Sequence, residues 1–137
     1  MNTGNFNGNV IIVAGGSGGI GSQVCRLLAR RGAMVIVASR RSGEFIDELG
    51  AAGARCVWRE ADLRFHESWE ELATEVMDRY GRIDAVVHCE GMLIPGAFDE
   101  LSPAEIERVV RTNFLSVLHG TRCAIPLMKR QGGGQII

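Results

Sequence analysis

No apolar run in this sequence is long enough to cross a bilayer; the apolar stretches are strand-length and separated by charged, helix-like segments. Nor is there an excess of charge of either sign. With 15 Lys and Arg against 16 Asp and Glu, the net charge is −1, which gives no basis for nucleic acid or an anionic membrane as partner. The four cysteines, Cys25, Cys56, Cys89 and Cys123, form no Cys-x-x-Cys pair and sit in apolar contexts. They read as reduced, buried small hydrophobes rather than as disulfides or metal ligands. The three histidines are scattered, and His66-Glu67 lacks the second His that a zinc-protease helix needs. The polar start Met1-Asn2-Thr3-Gly4-Asn5 has no signal-peptide pattern, so the expectation is a cytoplasmic protein.

What is present is a chain of 137 residues, one domain at most, with 46% hydrophobic and 23% charged residues, ordinary for a soluble globular protein. Its most informative stretch is Val10 to Gly21, where a buried apolar strand runs into five glycines in seven residues and a helix begins at once. Gly16, Gly18 and Gly21 satisfy Gly-x-Gly-x-x-Gly, and Gly15, Gly19 and Gly21 satisfy Gly-x-x-x-Gly-x-Gly. Glycine permits the tight turn and a close approach of backbone to ligand, and the helix start supplies free N–H groups and a positive dipole end. The N–H groups from Ser17 to Ile20 are therefore the candidate pyrophosphate site; a glycine-rich corner without ligand is the alternative. A mononucleotide P-loop needs Lys and then Ser or Thr after the final glycine. Gly21 is followed by Ser22 with no lysine, which removes that reading.

Strand and helix signals alternate along the chain. Strands are expected at Val10–Ala14, Met34–Ala38, Arg55–Trp58 and Ile83–His88. Helices are expected over Ile20–Arg31 (Val24, Leu27 and Leu28 on its apolar face, closed by Gly32), Glu44–Leu49, and Trp69–Tyr80 capped by Ser68. Leu72, Val76 and Tyr80 share a face of that third helix, so Tyr80 reads as core-facing. Ser102-Pro103 opens a long helix to about Arg130, with Pro126 interrupting its hydrogen bonding near the end. Uniformly apolar strands between helices imply a parallel sheet covered on both faces, the Rossmann-type doubly wound α/β plan, with its ligand crevice at the carboxyl ends of the strands. Gly132 to Ile137 then reads as a loop entering a fifth strand, so residues 1–137 are expected to be an incomplete dinucleotide-binding domain, truncated at that strand and leaving an unpaired apolar edge.

Two further crevice loops follow from this order. After the second strand stands Ser39-Arg40-Arg41, where an NAD-selective fold has an acid for the ribose hydroxyls. A guanidinium instead pairs with a 2′-phosphate, so Arg40 points to NADP(H), with NAD(H) retained as the lesser reading; two solvated arginines are the bland alternative. After the third strand, Asp62 is placed to accept the adenine amino group and Leu63 to pack on the ring, or Asp62 is simply a loop carboxylate. After the fourth, Cys89 offers backbone contacts and Gly91 lets the chain pass close to the nicotinamide ribose.

Together these residues resemble the short-chain dehydrogenases/reductases, in their small single-domain branch, over essentially the whole chain. Ala14-Gly15-Gly16-Ser17-Gly18-Gly19-Ile20-Gly21 is similar to the family's Thr-Gly-x-x-x-Gly-Ile-Gly, with Ala14 for Thr. Asp62 matches its adenine-binding Asp, and Thr112-Asn113-Phe114 the segment of its catalytic-site Asn. His88-Cys89-Glu90-Gly91 stands where the family has Asn-Asn-Ala-Gly, so Glu90 brings bulk and a carboxylate close to the nicotinamide. The resemblance implies hydride transfer between a nicotinamide and a small-molecule alcohol or carbonyl. It also implies that Asn113 bends its helix and binds a water of the proton relay, and that subunits pair through the helix over 103–130 and the one after it.

The same family chemistry needs a Ser, and a Tyr followed four residues later by Lys. Tyr80 is the single tyrosine and Lys129 the single lysine, and they are not so spaced. In the family those residues follow the fifth strand. The expectation is the cofactor-binding part of an oxidoreductase, inactive alone; a non-catalytic nucleotide-binding or interaction protein derived from such an enzyme is the alternative.

Overall fold

The computed structural model describes residues 4–137; Met1-Asn2-Thr3, part of the polar start read above, lies outside the described residues. Five strands form one sheet: β1 Val10–Ala14, β2 Met34–Ser39, β3 Cys56–Glu60, β4 Ala85–His88 and β5 Gln135–Ile136. Every observed pair is parallel, and the order is β3-β2-β1-β4-β5. The chain steps outward from β1 to β3, then returns to the other side of β1 as β4. That reversal opens a crevice between the carboxyl ends of β1 and β4.

β1 is buried along its whole length, which is why it reads as an unbroken apolar run. Alternate residues serve opposite faces. Ile12, Ile36 and Val86 pack with Trp69, Leu72, Val76, Ala124 and Met128; Ile11, Val13, Val35 and Val37 pack with Cys25, Leu28, Phe45 and Leu49. Burying each such Ile, Leu or Val contributes about 1.5–3 kcal/mol, so the sheet is secured from both sides.

The helices on the second face are α1 Gly19–Arg30 and α2 Phe45–Ala51; α3 His66–Tyr80 and a later helix cover the first. In α1 the face against the sheet is Cys25, Leu28 and Ala29, whereas Leu27, expected in the core, is 49% exposed. One residue of helix turns about 100°, enough to carry Leu27 off the face that Leu28 occupies. Helix α3 starts earlier than expected: its cap is Phe65, so Ser68 lies inside the first turn rather than capping it. The Phe65 N–H bonded to the Asp62 carbonyl at 3.2 Å forms the turn that leads into it. Tyr80 is half-buried against the core, as expected.

Ser102 does cap the next helix, α4 Pro103–Val110: its hydroxyl accepts the Glu105 N–H while the Glu105 carboxylate accepts the Ser102 N–H at 2.9 Å. The expected long helix is not continuous, because Arg111–Leu115 is a π-helical turn between α4 and α5, Ser116–Gln131. Pro126 lies within α5 without ending it; the helix stops at Gly132, whose φ of +92° is left-handed. Ser116, Gly120, Ala124 and Met128 make its buried stripe. Gly120 is required there, since a Cβ would come within 2.6 Å of the Trp69 ring and 2.8 Å of His88 Cε1.

β5 pairs with β4 through Ala85↔Gln135 and Val86↔Ile136. No strand among the described residues pairs with its outer flank. The expectation of four buried cysteines needs correcting. Only Cys25 is buried, and burial chiefly pushes its thiol up to about 12; Cys56, Cys89 and Cys123 are half-buried, and all four are free. No helix among the described residues is long and apolar enough to cross a membrane.

Candidate functional site

The glycine turn joins β1 to α1 at the crevice. The Gly15 N–H bonds to the Ala38 carbonyl at 2.9 Å and the Gly18 N–H to the Gly15 carbonyl at 3.0 Å, folding the turn back on the sheet. Gly15 has φ +69°, and a Cβ there would lie 2.6 Å from the Glu90 backbone nitrogen; a Cβ on Gly21 would collide with the Gly15 carbonyl oxygen. These two glycines let the turn pass between the β4 loop and the first turn of α1. Around Gly19 a Cβ would meet nothing within 4 Å, so the helix start stands open. Helix α1 has no side-chain cap and no acid in its first turn, which leaves its positive end uncompensated. An open cradle of this kind fits a dinucleotide pyrophosphate.

Beside the turn lies a cleft of about 460 Å³. Of the residues expected from the sequence, Gly15, Ser17, Gly18, Arg40, Asp62, Leu63, Cys89 and Gly91 line it. Gly19, Ile20, Gly21 and Asn113 do not. Gly21 is buried beneath the turn, and Ile20 points to solvent at 77% exposure.

The arginine loop after β2 is held by side chains. Ser39 Oγ donates to the Arg41 carbonyl at 2.7 Å, and Trp58 Nε1 on β3 donates to the Ser39 carbonyl and Oγ at 3.2 Å each. Arg40 and Arg41 are exposed at the cleft rim. Asp62 receives a forked pair from Arg64, Nε at 2.8 Å and Nη2 at 2.5 Å. That pairing, helped by Arg40 and opposed by partial burial, holds the Asp62 carboxyl below the usual range. Leu63 touches the cleft, but its side chain is 6% exposed and belongs to the core, while its carbonyl accepts the Trp69 Nε1–H at 3.1 Å. The cleft thus meets Leu63 at its edge and an Asp62 carboxylate already engaged by Arg64.

The wall formed by β4 and the π-turn is the part of the site that the sequence left unassembled. Glu90 Oε1 accepts from His88 Nδ1 at 2.8 Å and from Ser116 Oγ at 2.8 Å. The His88 and Glu90 side chains are 7% and 8% exposed, and His88 Nε2 and Glu90 Oε2 are buried without partners. Burial pushes the Cys89 thiol up, and negative Glu90 adds to the effect. Asn113, in the π-turn, bonds the loop after β4 through both amide atoms: Oδ1 accepts the Met92 N–H at 2.8 Å and Nδ2 donates to the Met92 carbonyl at 2.9 Å. It pins the loop after β4 to the helix.

Arg64, Thr112 and Ser116 also line the cleft and were not singled out. For Ser116 a signal existed: it is the one hydroxyl in the i, i+4 stripe Ser116, Gly120, Ala124, Met128. For Arg64 the spacing Asp-x-Arg was the only hint.

Comparison with known proteins agrees with the fold. Ketoacyl reductase HetN of Nostoc sp. (strain PCC 7120) is 32% identical over 135 residues, 96% of this chain and 47% of that protein. Oxidoreductase UcpA of Salmonella typhimurium is 30% identical over 136 residues, 98% of this chain and 52% of that protein. Among solved structures, a metagenomic short-chain oxidoreductase in complex with NADP is 28% identical with a TM-score of 0.90, covering 97% of this chain and 62% of that one. Hydroxysteroid dehydrogenase from Escherichia coli is 25% identical with a TM-score of 0.89, covering 96% and 57%. The chain spans about half the length of the curated relatives it matches. The family model described as short chain dehydrogenase matches residues 9–137, from just before β1, which leads into the glycine turn, to one residue past β5, and the chain belongs to that family of oxidoreductases.

Proposed function

We propose that this chain is the NADP(H)-preferring cofactor-binding part of an oxidoreductase that moves hydride between the nicotinamide and an alcohol or carbonyl. The observation that carries the reading is the glycine turn, open at the uncapped start of α1, with Arg40 and Arg41 at the rim of the same cleft. The resemblance to a solved relative in complex with NADP supports the same cofactor. In this reading Ser17 to Ile20 hold the pyrophosphate with backbone N–H groups, Arg40 pairs with the 2′-phosphate, and Gly91 admits the nicotinamide ribose. The cofactor, when bound, supplies the hydride chemistry. The residues of this chain bind it and orient it.

Proton exchange with the substrate is assigned to the Ser and Tyr-x-x-x-Lys of the family, which these 137 residues do not contain. Purified chain is therefore expected to bind cofactor without turning it over. Titration with NADPH and NADH tests the first half: tighter NADPH is expected, and Arg40→Ala should cost about tenfold in NADPH affinity with little effect on NADH. Tighter NADH would refute the assignment of Arg40. NADPH consumption with a panel of carbonyls tests the second half, and measurable turnover would refute it.

One observation favours a second reading, in which the chain is a non-catalytic nucleotide-binding or interaction protein. The buried His88–Glu90 pair occupies the place of the family's Asn-Asn-Ala, in the wall nearest the nicotinamide. An in-frame continuation encoding Ser and Tyr-x-x-x-Lys decides for the enzyme.

A further inference from the structure

The cleft is polarised. Arg40, Arg41 and Arg64 border its β2–β3 end, where only Asp62 opposes them, and Glu90 stands at its β4 end. The strand order puts the glycine turn of β1 between the two. A dinucleotide laid across that turn, with its anionic 2′-phosphate among the arginines, brings its nicotinamide to Glu90.

Among the described residues no arginine or lysine pairs with Glu90; its ion-pair contact is His88. Its Oε1 accepts both His88 Nδ1–H and Ser116 Oγ–H. His88 packs against the Trp69 ring at 5.5 Å between centroids, and Glu90 is the acidic side chain that lines the β4 end of the cleft. Its second oxygen, Oε2, is buried and has no hydrogen-bond partner, an expensive condition that a nearby cation relieves.

Resting on the cofactor-binding reading above, we propose that Glu90 makes this cleft selective for the oxidised cofactor. Oxidised nicotinamide is cationic and reduced nicotinamide is neutral, whereas the phosphate end is the same in both. The arginines and the glycine turn thus bind both forms alike, and Glu90 separates them. His88 and Ser116 are positioning residues: their hydrogen bonds fix the carboxylate in the wall.

The test is titration of the full 137-residue chain with NADP+, NADPH and the adenosine bisphosphate half of the cofactor, which lacks nicotinamide. The wild-type chain should bind NADP+ about fivefold or more tighter than NADPH. Glu90→Gln, which keeps an acceptor for His88 and Ser116 but removes the charge, should bring that ratio close to one and leave the adenosine half unmoved. Ser116→Ala, which keeps the carboxylate but removes one of the two hydrogen bonds that fix it, should reduce the preference without abolishing it. Equal affinity of the wild-type chain for the two forms overturns the proposal without recourse to any variant, as does a ratio that Glu90→Gln does not change. Failure of the wild-type chain to bind any of the three ligands overturns the cofactor reading itself, and this proposal with it.

Discussion

The Asp84 carboxylate accepts the backbone N–H of Val10 at 2.8 Å, so a side chain at the head of β4 fixes the first residue of β1, 74 positions away. Arg82 forks onto the same carboxylate at 2.8 and 2.5 Å. This contact ties the two strands that flank the crevice at the end opposite the glycine turn.

Burial works to raise the Asp84 carboxyl, but Arg82 and the Val10 N–H outweigh it and hold the group below its ordinary value of 3.8. The unfolded chain therefore binds the proton more readily. Stability from Asp84 is fully present above about pH 4 and is lost as pH falls through the lower, folded value. Denaturant unfolding at pH 7 and pH 3 should show the wild-type chain losing stability in acid. Asp84→Asn should be about 1–2 kcal/mol less stable at pH 7 and lose less in acid.

Gly21→Ala would drive a methyl group into the Gly15 carbonyl. With Gly15 itself lodged against the Glu90 backbone, the turn has nowhere to yield. We expect a loss of about 1–3 kcal/mol in chemical denaturation, with cofactor affinity falling in parallel. Unchanged stability would mean that the turn is looser than its contacts imply.

Asn113→Ala removes both hydrogen bonds to Met92. The expected cost is about 0.5–1.5 kcal/mol, since both bonds are exposed and water takes the place of the lost partner. Amide exchange at Met92 should quicken by an order of magnitude or more while the strands stay protected. Uniform loss of protection would instead place Asn113 in the global unfolding unit.

Val110, Phe114 and Leu118 are 44%, 58% and 47% exposed along the helix over 103–130. Subunit pairing through that helix is the proposal the family resemblance supports. Sedimentation should then show self-association of the chain that Phe114→Asp weakens at least tenfold, without loss of folded signal. A monomeric wild-type chain at high concentration would rule this surface out.

The strands were legible because burial on both faces leaves no room for polar alternation: Val10–Ala14 could hardly be anything else. The cap at Ser102-Pro103 was legible because its chemistry is contained in four residues. Leu27 misled because apolar character alone does not say which way a helix is rolled on the sheet. The π-turn was not legible from residue chemistry, since Arg111 to Leu115 contains neither Gly nor Pro and Asn113 finds its partner 21 residues back; only the family resemblance implied a bend at Asn113. Glu90 stood out as a departure from the family pattern. Its partners did not, because Ser116 reaches it across 26 positions and only the fold brings them together.

The π-turn also sets a phase. A π-helical turn accommodates an extra residue relative to an α-turn, so the faces of α4 and α5 are offset by about one residue's rotation, roughly 100°. That offset is what lets the stripe beginning at Ser116 lie on the sheet while α4 upstream buries none of its residues. Removing a single residue between Arg111 and Leu115 would restore an uninterrupted helix and roll Ser116 away from Glu90. The five residues of this turn thus act as the gear that keeps two helices of different duty in step.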